Sequence, residues 1–118
     1  PVCETYNIDM AIHPDDPAWN VFGLPRIITD KEHLLRLMKT VDNPHNGVTF
    51  CTGSLGTNPE NDLPNMIRSL KGRIHFAHIR NLKHNFPGTL KRLHIFLQTA
   101  PLICMPYLLY NLRAHETK

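Results

Sequence analysis

HPDDP, residues 13–17, follows the run NIDMAI at 7–12, and this junction decides how the rest of the chain is read. In the run before it, Ile8, Met10 and Ile12 fall on one side, with Asp9, Ala11 and then His13 on the other. A period of two marks a strand, so His13 stands at a strand's C-terminal end, on its polar or small face. The Pro-Asp-Asp-Pro turn is stiff because proline fixes its own φ and restricts its neighbour. A histidine held there suits a metal or catalytic site. Two later apolar runs end in the same way, at Cys51 and at His78.

Between these ends the chain alternates in type. Residues 14–25 contain Pro14, Pro17, Pro25 and Gly23 and read as a loop, which leaves Trp19 and Phe22 outside regular structure. Thr29 with Glu32 forms a capping-box signature. Leu34, Leu35, Leu37, Met38 and Val41 then recur at helical spacing. Asn43-Pro44 and Asn46-Gly47 end that helix, and 48–51 form a second strand, with Thr49 and Cys51 on one side and Val48 and Phe50 on the other. Residues 52–56 read as a small-residue loop. A second helix covers about 62–70, with Leu63, Met66, Ile67 and Leu70 on one stripe, Pro64 in its first turn and Gly72 just past its end. Residues 74–79 form the third strand, although strict alternation there groups His78 with Ile74 and Phe76. Arg80-Asn81 opens the next loop. The order strand, helix, strand, helix, strand predicts an α/β fold with candidate site residues at three C-terminal strand ends. Separations of 38 and 27 residues match one βα unit each, since eight units make a (β/α)₈ barrel of roughly 250 residues.

Composition and charge narrow the function. A chain of 118 residues with 42% hydrophobic content is large enough for one domain with a core. Residues 1–82 carry eight Lys/Arg against nine Asp/Glu, a net of −1. Residues 83–118 carry five Lys/Arg against Glu116 alone, a net of +4. The basic excess therefore sits in the tail, scattered and without a nucleic-acid-binding motif. Three cysteines, Cys3, Cys51 and Cys104, show neither metal-knuckle spacing nor a paired framework. Together with the lack of a signal pattern, they point to a reducing, cytoplasmic setting.

His13, Cys51 and His78 offer nitrogen, sulfur and nitrogen, a set suited to Zn, Fe or Mn rather than to Mg or Ca. Each also has an ordinary explanation. A lone strand cysteine is commonly a small buried apolar residue, and a lone histidine at a strand end commonly a hydrogen-bonded surface group. His75 lies three residues before His78, which in a strand turns the two to opposite faces. Three candidates at successive strand ends balance the ordinary readings against a shared metal site, and residue chemistry alone leaves both open.

The runs AIHPDDPAWNVFGLPRIITD, DNPHNGVTFCTGSLGTNPENDLPNMI and GRIHFAHIRNLKHNFPG together closely resemble the mannonate dehydratase family, from the first residues to about Gly88. The resemblance implies a (β/α)₈ TIM barrel of the xylose-isomerase-like kind, of which residues 1–88 are a partial domain of about three βα units. It also implies removal of water from D-mannonate to give 2-dehydro-3-deoxy-D-gluconate in hexuronate breakdown, with a divalent metal, Mn²⁺ or Fe²⁺. By the same resemblance, His13, Cys51 and His78 are three of four protein metal ligands. Arg80 and Asn81 line the substrate site, with Asp15, Asp16 and Ser54 as further substrate-binding candidates. The expected partner is the sugar acid, with no nucleic acid and no membrane, and the intact family member is expected to form a homo-oligomer. Two alternatives stand beside this: a non-catalytic metal-binding remnant, and a related TIM-barrel sugar isomerase or epimerase.

Past Gly88 the sequence departs from the family, whose Arg-Pro-Asp-His-Gly motif carries the fourth ligand and a catalytic histidine. Catalytic acid/base residues are therefore unassigned in this chain, and activity from it alone is not expected. Residues 89–118 are basic, rich in leucine and interrupted by Pro101 and Pro106. They are expected to be a divergent, non-native tail, read from the family's coding sequence in a shifted frame. The segment LQTAPLICMP at 97–106 can be encoded by bases that, regrouped, give Ser-Asp-Gly-Ser-Leu-Asp-Met-Tyr-Ala, as family members have there. Residues 93–112 reach membrane length, but His94, Gln98, Thr99, Asn111 and two prolines oppose a span. The opening residues resemble the end of a helix cut from an earlier part of a barrel. Unpaired strand edges then predict a poorly stable isolated chain.

Overall fold

The computed structural model describes residues 1–86 and 89–94. Its elements are α1 (Val2–Tyr6), β1 (Met10–Ile12), α2 (Lys31–Thr40), β2 (Asn46–Cys51), α3 (Thr52–Leu55), α4 (Leu63–Ser69), β3 (Ile74–His78), β4 (Arg80–Phe86) and β5 (Thr89–His94). The first three strands form one parallel sheet in the order β1-β2-β3, with β2 in the middle and the other two at its edges. β4 and β5 pair antiparallel. The described part is thus a mixed helix and strand structure built on a small parallel sheet. Residues 95–118 lie outside the described residues, and with them the segment at 97–106 and nearly all of the membrane-length stretch at 93–112. Among the described residues no helix is long and apolar enough to cross a membrane.

The strand in the middle of the sheet explains where the core sits. All six residues of β2 are buried, and their alternation splits them as the sequence predicts. Val48 and Phe50 join Leu34 and Met38 of α2, Leu55 of α3, Met66 and Ile67 of α4, and Leu70 in one cluster. Full burial of a Leu or Phe side chain is worth about 1.5–3 kcal/mol, against about 0–1 kcal/mol for an exposed ion pair. The helices are therefore held to the sheet by this cluster rather than by pairs such as Lys31–Glu32. Thr49 and Cys51 are left for the other face, where Thr49 Oγ1 donates to the Ala11 carbonyl at 3.0 Å.

Several local expectations are corrected. α2 is capped by Asp30, not Thr29: the Asp30 carboxylate accepts from the His33 N–H at 2.9 Å, and its backbone is extended, as a cap requires. The Thr29 hydroxyl instead reinforces that carboxylate at 3.2 Å. Val41 leaves the apolar stripe and stands exposed in an extended conformation at the helix end. Asn46 and Gly47 do not form a turn but open β2. The Asn46 amide donates to the Leu37 and Val41 carbonyls, closing the end of α2. Gly47 has no room for a side chain, since a Cβ there would lie 2.4 Å from the His75 ring. Residues 52–56 are mostly the short helix α3 rather than a loop, because Cys51 itself caps them. Arg80-Asn81 begins β4 instead of a loop.

The ambiguous period of the third strand has a physical cause. Pairing to β2 steps from Val48↔Ile74 to Thr49↔Phe76, skipping His75, the two-against-one count of a β-bulge. The extra residue breaks strict alternation. Ile74 and Ile79 pack against the core, whereas His78 pairs in register with Cys51. His75 turns away and donates from Nδ1 to the Met10 carbonyl at 2.6 Å, linking the two edge strands.

The loop after β1 is anchored by Asp15. Its Oδ2 accepts the Ile27 and Ile28 N–H groups at 2.8 and 2.7 Å, and Arg26 Nη1 lies 3.5 Å from Oδ1. Burial opposes the charge, but these two backbone donors and Arg26 outweigh it and hold the Asp15 carboxyl below its ordinary value. Asp30 is lowered in the same sense, its desolvation outweighed by hydrogen bonds from His33 and Thr29. A lowered folded-state value means stability that is present above the unfolded value of about 3.9 and lost as pH falls through the folded one. An acid titration followed by the fluorescence of Trp19, the single tryptophan, is expected to show loop release below about pH 4. Asp15→Asn is expected to remove part of that acid-dependent change.

Candidate metal centre

Because β1, β2 and β3 run parallel, their C-terminal ends lie on one side of the sheet. His13 follows β1, Cys51 ends β2 and His78 ends β3. The bulge at His75 brings Cys51 and His78 level, with Sγ and Nδ1 3.5 Å apart. The rings of His13 and His78 are 5.9 Å apart between centroids. One donor atom from each of the three residues lies within 4.8 Å of the others. Cys51 is fully buried, His78 partly so and His13 exposed, which leaves the group open toward solvent on the His13 side.

The donor set fits a transition-metal ion. Bonds of about 2.1 Å to nitrogen and 2.3 Å to sulfur at a tetrahedral angle put the two donors roughly 3.6 Å apart, close to the 3.5 Å between Cys51 and His78. A bond to nitrogen and one to sulfur in line span at most about 4.4 Å, so a 4.8 Å group closes on one ion with an inward shift. His13 is also oriented for this task. Its Nδ1 lies 2.7 Å from the Pro14 carbonyl, an acceptor only, so Nδ1 carries the proton and Nε2 keeps the lone pair. The proline turn read from the sequence thus supplies the group that fixes the tautomer.

Under the sulfur lies a network that the sequence does not announce. The Arg80 guanidinium is buried at 7% exposure. Its Nη2 lies 2.7 Å from Asp16 Oδ2, 2.8 Å from Ser54 Oγ and 3.3 Å from Cys51 Sγ. Ser54 Oγ in turn lies 3.2 Å from both Asp16 Oδ2 and Cys51 Sγ. Burial alone would make Arg80 less basic, but its contacts with Asp16 and Cys51 more than offset this and hold it above its ordinary value. Thr52 Oγ1 donates to the Arg80 carbonyl at 2.7 Å and accepts its N–H at 2.8 Å. Gly53 completes the seat, since a Cβ there would lie 2.3 Å from Arg80 Nε. Among the described residues, that Nε is buried without an acceptor, at a cost of about 1–3 kcal/mol.

The sequence candidates therefore divide. His13, Cys51 and His78 converge. Asp16, Ser54 and Arg80 gather beside the sulfur, while Asp15 is committed to the backbone of Ile27 and Ile28. Asn81 continues β4, and its side chain lies outside the described residues. Thr52 and Gly53 were passed over as loop residues; a run of small residues directly after a candidate ligand was the signal that something bulky packs there.

The family model described as D-mannonate dehydratase (UxuA) matches residues 1–98. This chain belongs to the D-mannonate dehydratase family. The match runs on past Gly88, where the resemblance of the sequence was expected to stop. A mannonate dehydratase of Brachyspira hyodysenteriae is 67% identical over 88 residues, covering 75% of this chain and 25% of the relative. That of Thermotoga petrophila is 65% identical over 85 residues, covering 70% and 24%. The crystal structure of mannonate dehydratase from Streptococcus suis serotype 2 superposes with a TM-score of 0.65 at 44% identity, over 70% of this chain and 24% of that one. The chain spans about a quarter of the length of the mannonate dehydratases it matches.

Gly53→Ala tests the seat of Arg80. The added methyl has nowhere to go but into the guanidinium, so a loss of about 1–3 kcal/mol is expected, read as a lower urea midpoint. An unchanged midpoint would show that Arg80 is free to move aside.

Proposed function

We propose that this chain supplies the His13–Cys51–His78 part of the metal centre of a mannonate dehydratase. The observation that carries this is the convergence of the three donors at neighbouring C-terminal strand ends, in a chain of this family. Parallel strands joined through helices, with the site at their C-terminal ends, also support reading the described part as a sector of a (β/α)₈ barrel. The reaction of the intact enzyme is then dehydration of D-mannonate to 2-dehydro-3-deoxy-D-gluconate in a cytoplasmic hexuronate pathway.

The ion, Mn²⁺ or Fe²⁺, would supply Lewis-acid polarisation of an oxygen of the sugar acid. Imidazole and thiolate favour Fe²⁺ over the oxygen-seeking Mg²⁺, whereas Mn²⁺ enters through the family resemblance. The chain's own residues do the holding. His13 presents Nε2 because Pro14 ties up Nδ1. Cys51 presents sulfur at the floor of the site, and His78 stands level with it across the β2–β3 pair. The exposed side at His13 is where an anionic sugar acid would approach. Because the chain corresponds to a quarter of its relatives, it holds part of the ligand set and is not expected to turn over substrate by itself.

Loading the purified chain with Mn²⁺ or Fe²⁺, measuring bound metal and then assaying D-mannonate tests this. Near-stoichiometric metal that is lost in Cys51→Ala, with no dehydrated product, is the expected result. Absence of bound metal would sink the metal-centre reading. Turnover by this chain alone would overturn the assignment of a partial site.

A further inference from the structure

We infer that Arg80 is a positioning residue of the metal centre, aiming the Cys51 sulfur through Ser54 and Asp16. The inference rests on the metal-centre reading and adds a role to a residue that the family resemblance assigns to substrate.

The geometry favours the sulfur over a substrate carboxylate. A guanidinium that binds a carboxylate presents two parallel N–H groups to it. Here Nη2 is already among three acceptors, Asp16, Ser54 and Cys51, and Nε is buried over Gly53. Counting protons shows how the network closes. Nη2 carries two, and the Ser54 hydroxyl carries one. With its two N–H groups on Asp16 Oδ2 and Ser54 Oγ, the two shortest contacts, Nη2 leaves the Ser54 hydroxyl to be shared between Cys51 Sγ and Asp16 Oδ2, each at 3.2 Å. The Ser54 backbone N–H adds a second donor to that sulfur at 3.4 Å. Arg80 thereby orients Ser54, and Ser54 orients the lone pairs of the sulfur.

The surrounding chain is shaped to hold Arg80 in place. Each residue of the run Cys51, Thr52, Gly53, Ser54 meets it: by sulfur, by a hydroxyl clasping its backbone, by an absent side chain and by a second hydroxyl. Asp16, from the loop after β1, closes the remaining side. Arg80 therefore ties together the loop after the first ligand, the end of the second ligand's strand and the residue two beyond the third. Groups that support ligands in this way commonly change metal affinity 10–100-fold when removed.

Cobalt(II) titration of the full 118-residue chain tests the inference, with binding and the thiolate-to-cobalt charge-transfer band read together. Wild type is expected to bind Co²⁺ and show the band. Arg80→Met is expected to bind roughly 10–100-fold more weakly, with a diminished band even at saturating metal. Arg80→Lys, which keeps the charge without the fork, should recover part of both. An Arg80→Met chain with wild-type circular dichroism, affinity and band would overturn the inference while leaving the metal centre standing. A substrate-binding arginine gives that pattern. If Arg80→Met does not fold, Asp16→Asn is read in its place, with the same loss expected and the same unchanged values overturning the idea. A wild-type chain that takes up no Co²⁺ brings down the metal centre and the inference with it.

Discussion

One guanidinium nitrogen, Arg80 Nη2, stands within hydrogen-bonding reach of a carboxylate from one part of the chain and a hydroxyl and a sulfur from another. The arrangement around the candidate metal centre depends on it. Asp16 belongs to the proline-bounded loop after β1, and Cys51 and Ser54 to the junction of β2 and α3. Arg80 itself begins β4. A buried cation is costly unless it is paired and hydrogen-bonded, and Asp16 provides that pairing. Among the described residues Arg80 Nε has no acceptor, so the fit is not ideal for Arg80 itself. Holding the sulfur, rather than stabilising the fold, accounts best for a guanidinium kept in such a seat.

The hydrophobic cluster and the site are two faces of the same strand. Val48 and Phe50 bind β2 to the helices, and the alternation that puts them there delivers Cys51 to the opposite side. A shift of one residue in β2 would bury the wrong set on both faces. β3 achieves the same result by a different device. Ile74 belongs with the core and His78 with the site, four residues apart, an even separation that a regular strand cannot reconcile. The bulge at His75 resolves it. The skipped histidine then spans Gly47 to reach the Met10 carbonyl.

Much of this was legible in the chain because it is written in local pattern. The period of two before His13, the buried stripe of α2 and α4, and the Pro64 and Gly72 boundaries all follow from spacing and from residues with restricted backbones. The three ligand candidates were legible as strand ends, and the family through its motifs. What escaped depends on contacts between distant residues. Nothing near Gly47 says that His75 will lie over it, and nothing near Gly53 says that Arg80 will. Thr29 and Asp30 are both good caps, and only the extended backbone at Asp30 decides between them. The family resemblance assigns Arg80 to substrate, and the sequence carries no sign that Asp16, 64 residues away, meets it.

The central claim is that three side chains from three parallel strands form one nitrogen–sulfur–nitrogen metal site. X-ray absorption at the metal edge of the Mn²⁺- or Fe²⁺-loaded chain tests it most directly. One sulfur scatterer beside imidazole nitrogens, with the sulfur lost in Cys51→Ala, is the result the account predicts. A shell of oxygen donors alone, unchanged by that substitution, would contradict it.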